Sequence, residues 1–172
     1  MEITAIEPFL DYYAKIRGRT KRVIESIPPE KIEWSPGRGR WSFGDLIRHL
    51  ANIERWMYAE NVRGHPSRYA GHGAEFASGY GEVLDYFDEL HAQSVEIFSA
   101  LSPRQLQSKC LTPAGLPITT WKWLRAMVEH EIHHRGQFFV YLGLLGIPTR
   151  PIYGMTSEQV FENSQPPRSE DK

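Results

Sequence analysis

The sequence predicts an all-α chain built as a four-helix bundle with long connections, and three observations carry that expectation. Four segments, starting near Ile6, Ser42, Glu82 and Thr119, space their apolar residues at helical intervals. The connections between them are rich in Pro and Gly, and no strand-rich segment interrupts the series. The last segment, Thr119 to Gly146 (TTWKWLRAMVEHEIHHRGQFFVYLGLLG), has no internal Pro and is long enough for roughly eight helical turns.

Helix one reads from Ile6 to Ile27. Ile6, Phe9, Leu10, Tyr13, Ile16, Val23, Ile24 and Ile27 follow amphipathic spacing, and Pro28-Pro29 supplies the stop. Lys31 to Arg40 is a Pro/Gly connection ending at Trp41, after which Ser42 and Asp45 form a short capping box. Helix two then runs to about Arg63, with Phe43, Leu46, Ile47, Leu50, Ile53 and Met57 as its core stripe and His49 on the flank. Gly64 to Gly79 reads as a long loop bordering the site. Helix three covers Glu82 to Leu101, offering Val83, Leu84, Phe87, Leu90, Val95, Phe98 and Leu101 to the core, and Ser102-Pro103 ends it. Cys110 to Pro117 is a turn-rich crossover, and Thr119 or Thr120 caps the long last helix. Apolar residues surround that helix, which predicts that it runs through the interior. Thr156 to Asn163 forms a short helix. One domain spans 1–163, and 164–172 is a polar tail.

Composition excludes several function classes. Lys and Arg number 20 against 21 for Asp and Glu, a formal charge of −1, and no basic run marks a nucleic-acid surface. A single cysteine, Cys110, forbids an internal disulfide, and the start MEITAIEPFLDYY lacks the pattern of a secretory signal. A reducing, cytoplasmic location is expected. No apolar run reaches the roughly 18 residues a membrane span needs.

Seven histidines remain to be placed. His130 and His134 lie one turn apart on one helical face, in line with Trp123, Met127 and Tyr141. On an otherwise apolar helix, two imidazoles carry a desolvation cost that hydrogen bonds or a metal must offset. Facing helices of a bundle are a recurrent place for metal sites, so the pair is either a ligand pair or two bonded core histidines. His49 is the best third ligand, being the remaining histidine placed mid-helix beside a core stripe, with His91 in reserve and His65 and His72 in the loop. The bland alternative for His49 is packing against Trp56 with a bond to a carbonyl.

The same stretch satisfies HExxH, as His130-Glu131-Ile132-His133-His134. In zinc peptidases the Glu is a general base, which makes Glu131 a weak catalytic candidate. Its direction lets it reach a water at the metal or pair with Arg135. The extended metzincin pattern fails, since Gln137 and Val140 stand where Gly and a third His belong. His133 reads as a surface or supporting residue, Gln137 as a hydrogen-bonding group in the site or, the preferred reading, the cap of a buried polar group, Cys110 as no nucleophile, and the tryptophans as core.

WSFGDLIRHLANIERW in helix two and VEHEIHHRGQFFVYLGLLGIP in helix four resemble the two signature segments of the DinB-like (damage-inducible, YfiT-like) superfamily of metal-binding four-helix bundles, unrelated to the DNA polymerase of that name. The resemblance covers roughly Ile6 to Pro148. It implies a divalent metal, zinc or nickel, held by one histidine of helix two and an HxxxH pair on the last long helix, here His49, His130 and His134. Some relatives have a carboxylate at the first position of the pair, and His130 fits the all-histidine version. The resemblance further implies a homodimer, and an enzyme acting on a small molecule, either a thiol-dependent S-transferase or isomerase using a low-molecular-weight thiol, or a metal-dependent hydrolase. The rival expectation is a stress-associated protein that binds a metal or small molecule without turnover.

Overall fold

The computed structural model describes residues 2–165, and its regular structure is mostly helical. Helix α1 (Ile6–Ile24) leads through a 3₁₀ turn (Pro29–Lys31) to α2 (Phe43–Ile53), which continues through a π-helical turn (Glu54–Tyr58) into α3 (Ala59–Val62). After a long loop come α4 (Tyr80–Ser99), the short α5 (Pro103–Gln107), a hairpin of β1 (Lys109–Leu111) and β2 (Pro117–Thr119), the long α6 (Thr120–Leu144) and α7 (Ser157–Asn163). Helix α2 packs on α4 and α6, and α1 packs on the same two helices, so the four close on one another around the core.

Local chemistry accounts for most boundaries. Helix α1 stops at Ile24 rather than Ile27 because Ser26 and Ile27 tighten the last turn, donating to Val23 and Ile24, before Pro28 forces Ile27 out of helical geometry. The expected capping box opens α2: Asp45 N–H donates to Ser42 Oγ at 3.0 Å and Ser42 N–H to Asp45 Oδ2 at 2.9 Å. The crossover expected at Cys110 to Pro117 is instead a small antiparallel hairpin, with Cys110 opposite Ile118 and its turn closed by Thr112 and Leu116. Three-residue strands are too short to show a period. Thr119 is the N-cap of α6, but its Oγ1 accepts from Lys109 Nζ and caps no helix N–H.

The expectation that α6 is buried all round needs correction. Ile132, Val140 and Leu144 are 37%, 61% and 64% exposed, so one face of the helix is at the surface. Its apolar residues encircle the axis, yet α1 and α2 cover only part of the circumference. Of the polar tail expected at 164–172, Ser164 and Gln165 are exposed and 166–172 lie outside the described residues.

The core is divided. One apolar cluster gathers Ile24, Phe43, Leu46, Phe87, Phe138 and Leu142, and another gathers Phe9, Ile16, Tyr58, Phe98, Leu124 and Met127. On each of the four helical segments the change from one cluster to the other passes through buried polar residues: Arg17, Asn52 and Glu54, Ser94, and Glu131, His134 and Arg135. Arg17 is the hub of this layer. Its guanidinium pairs with Glu54, donates from Nη2 to the Tyr13 hydroxyl at 3.1 Å, and sets Nε 3.5 Å from Glu131 Oε2, which also accepts from Tyr13 at 3.1 Å. The Phe87 ring lies 4.0 Å from the guanidinium carbon. Arg17→Met should therefore lower the unfolding free energy by about 3–5 kcal/mol, because two carboxylates lose their buried counter-charge. Lys21→Met, which removes the exposed Lys21–Asp88 pair, should cost no more than about 1 kcal/mol. Urea unfolding of both variants checks the contrast, and equal midpoints would refute it.

Candidate metal centre

The site starts from the cap of α2. Two turns after Ser42 the helix presents His49, while Trp41, just before the cap, lays its ring against His49, His72 and His134 at centroid distances of 4.7, 4.1 and 6.0 Å. Arg48, next to His49, is fully buried and ties the surrounding connections to the helix. Its Nη1 and Nη2 meet Glu33 at 2.7 and 3.0 Å, Nη2 also donates to Asp45 at 2.8 Å, and Nε and Nη1 donate to the carbonyls of His72 and Ala77. Gly44 leaves room for the Glu33–Arg48 pair: a Cβ would stand 2.7 Å from Glu33 Oε1 and 2.9 Å from Arg48 Nη1, so one of the two side chains would have to shift. Gly44→Ala should thus loosen both connections.

His130 and His134 face His49 from α6. The Nε2 atom of His130 is 3.1 Å from Nε2 of His49 and 3.0 Å from Nε2 of His134. Tetrahedral ligands at zinc–nitrogen distances of about 2.0–2.1 Å would stand about 3.3 Å apart, close to these separations. His49, His130 and His134 form the one cluster of potential metal ligands among the described residues.

Electrostatics keeps the three rings neutral. Burial pushes the His49 imidazole down to about 3, and the neighbouring His134, His130 and His72 push the same way. Burial, then His134 and His133, brings His130 to about 4. His134 is lowered too, by burial and His133, against the raising effect of its bond to Gln137. Neutral imidazole is the form that ligates metals.

Two of the rings are oriented from behind. His134 Nδ1–H donates to Gln137 Oε1 at 2.6 Å, which leaves its Nε2 as the lone pair facing the other histidines. The Tyr69 hydroxyl lies 2.8 Å from His49 Nδ1 and 2.9 Å from His72 Nδ1, so it accepts from one ring and donates to the other. Gln137 therefore bonds within the site, to the buried His134 ring. Tyr69 and the wall formed by Trp41 escape sequence reasoning, since both come from connections with no period to place them.

The other candidates lie elsewhere. Glu131 is buried on the α1 side, bonded to Tyr13 beside Arg17, so it reaches neither the three histidines as a base nor Arg135 by any hydrogen bond. An HExxH peptidase arrangement is thereby lost: Glu131 is directed at α1. His91 donates to Glu54 at 2.8 Å, and burial with the charges of Arg17 and Lys21 holds it neutral, down to about 3. His65 bonds Glu60, His133 is exposed with its ring 5.0 Å from that of His134, and Cys110 is buried, which pushes its thiol up.

Comparison with known proteins places the fold. An uncharacterized protein of Bacillus subtilis strain 168, YjoA, is 25% identical over 147 residues, covering 84% of this chain and 93% of its own. The crystal structure of that DinB-like YjoA superposes with a TM-score of 0.69 at 21% identity, over 87% of this chain and 99% of YjoA. A DinB-like protein from Bacillus cereus ATCC 10987 gives a TM-score of 0.68 at 18% identity, over 86% and 97%. The family pattern of the DinB superfamily matches residues 12–138, which include all three histidines and most of the four long helical segments, and the chain belongs to that superfamily.

Proposed function

We propose that the protein is a four-helix-bundle metalloenzyme in which His49, His130 and His134 hold one divalent ion, zinc or nickel, and that it acts on a small molecule as a thiol-dependent S-transferase in preference to a hydrolase. The observation that carries this reading is the meeting of three uncharged imidazoles whose ligand atoms lie within 4.8 Å of one another, with His130 Nε2 at hydrogen-bond distance from Nε2 of both His49 and His134. His130 Nε2 faces two like nitrogens, and a single proton on it serves at most one of them well. A cation at the common point satisfies all three lone pairs. A bound divalent ion supplies Lewis acidity that lowers the pKa of a coordinated thiol or water.

The preference for transfer rests on what surrounds the triad. Hydrolysis needs a positioned base, and among the described residues no carboxylate is hydrogen-bonded to any of the three rings. Glu131 is held by Tyr13, whose own phenol is pushed well above its usual value chiefly by burial. A cytoplasmic homodimer completes the proposal, with the exposed apolar face of α6 around Val140 and Leu144 as available surface. A solution mass near 19.9 kDa would argue against the dimer.

Elemental analysis of the purified protein should find about one divalent ion per chain. His49→Ala and His130→Ala should reduce it to a small fraction, whereas His91→Ala and Glu131→Gln should retain it. Tyr69→Phe, which removes the partner of His49 Nδ1, should weaken metal affinity by about tenfold. Full occupancy in the His49 variant would sink the triad. The activity is checked by assaying metal-loaded protein with small thiols plus electrophiles, and separately with esters, amides and peptides. Thiol-free hydrolysis would overturn the transferase preference, and absence of any turnover would favour a binding protein.

Metal removal also predicts a pH dependence. In the folded, metal-free chain His49 and His130 titrate at about 3 and about 4, below the ordinary 6.5. The unfolded chain therefore takes up protons first as pH falls. This contribution to stability is whole above 6.5 and is lost as pH falls towards 4 and 3. The urea midpoint of the metal-free protein should be level near pH 7 and drop steadily below about pH 6. A smaller drop is expected in His49→Ala.

A further inference from the structure

A cleft of about 270 Å³ opens beside the triad, with His134 in its wall. Helix α6 contributes Gln137 and Tyr141, one and two turns after His134 on the same face, and the segment before α2 contributes Arg40 and Trp41. The cleft is rich in unused donors. Gln137 gives its Oε1 to His134, which leaves the Nε2 amide hydrogens without a partner among the described residues. The Tyr141 hydroxyl and the exposed Arg40 guanidinium likewise make no hydrogen bond to a described residue, yet Arg40 is near enough for its charge to act on the Tyr141 phenol. The one acid whose charge reaches Tyr141 is Asp45, and both its oxygens are taken, Oδ2 by Ser42 N–H and Oδ1 by Arg48. No carboxylate lines the cleft.

We propose that this cleft is the subsite for a carboxylate on the small molecule that reacts at the triad, with Arg40 as its counter-charge and Gln137 and Tyr141 as further donors. This rests on the reading of the triad as the reacting centre. A planar guanidinium with two neutral donors is the set that a carboxylate satisfies, whereas a cationic substituent would be repelled by Arg40 and a purely apolar one would pair with none of them. The volume fits a small organic acid and is too small for a peptide in extended conformation.

The test uses cobalt-substituted protein and two thiols of equal length, mercaptoacetate and 2-mercaptoethanol, with binding read from the cobalt–sulfur absorption band. Mercaptoacetate should bind at least ~10-fold more tightly than 2-mercaptoethanol. That advantage should fall to about twofold or less in Arg40→Gln at unchanged cobalt content, and it should persist in Arg38→Gln, a control on the same segment but outside the cleft. Equal affinity of the two thiols in the unsubstituted chain, or a preference that survives Arg40→Gln, overturns the proposal. Should the protein take up no cobalt, the metal reading fails on its own. The cleft is then read in the metal-free chain by NMR, as the shift of the Trp41 indole on adding succinate. A shift lost in Arg40→Gln upholds the anion subsite, and no shift in the unsubstituted chain overturns it.

Discussion

The position of the triad depends on one buried cation. Arg17, in the middle of α1, pairs with Glu54 on the segment that continues from His49 and approaches Glu131, the residue after His130. It thereby joins the two helical segments that carry the histidines. Such a layer is costly to bury, and replacing it by apolar residues would often leave a fold as stable or more so. In the observed register of α2 against α6, Arg17 reaches both Glu54 and Glu131, and His49 meets His130 and His134.

The π-helical turn at Glu54–Tyr58 belongs to the same constraint. Before it, α2 buries His49 and Arg48 towards the site, and within it Glu54 turns to Arg17 while Tyr58 enters the lower apolar cluster. An uninterrupted α-helix rotates about 100° per residue, and widening one turn changes which residues after His49 face the core. Glu60 shows the outcome. Burial raises its carboxyl, but hydrogen bonds from Arg55 and His65 and the charge of Arg68 hold it down at about 2. Arg55 and Arg68 also lie against the Trp56 ring at 4.1 and 4.7 Å, which anchors the loop that delivers Tyr69 to His49.

Around the triad the division of labour is between rings that face inward and groups that hold them. Arg48 fixes the connection before α2 and the loop after α3 with a single guanidinium, so Trp41, Tyr69 and His72 are all referred to the helix that bears His49. The three imidazoles are kept uncharged by burial and by one another. A site that is empty of carboxylate and rich in neutral nitrogen and donor groups is suited to a cation and to an anion beside it.

The sequence by itself determined the four long helical segments and the Ser42 cap, because these depend on apolar spacing and short-range hydrogen bonds that neighbouring residues supply, while the end of α1 at Ile24 and the π-helical turn inside helix two were not legible in it. It also brought His130 and His134 to one face, since four residues make about one turn, and singled out His49 by its place beside a core stripe, a choice that the resemblance of two segments to a known family supports. Tertiary structure decided where Glu131 points. Helical geometry placed that carboxylate between two possibilities, and the Tyr13 hydroxyl, 118 residues away in the chain, chose a third. The same holds for Arg48, Tyr69, Trp41 and the exposed face of α6. Their roles come from which surfaces meet, and contacts between distant segments leave no period in the sequence that carries them.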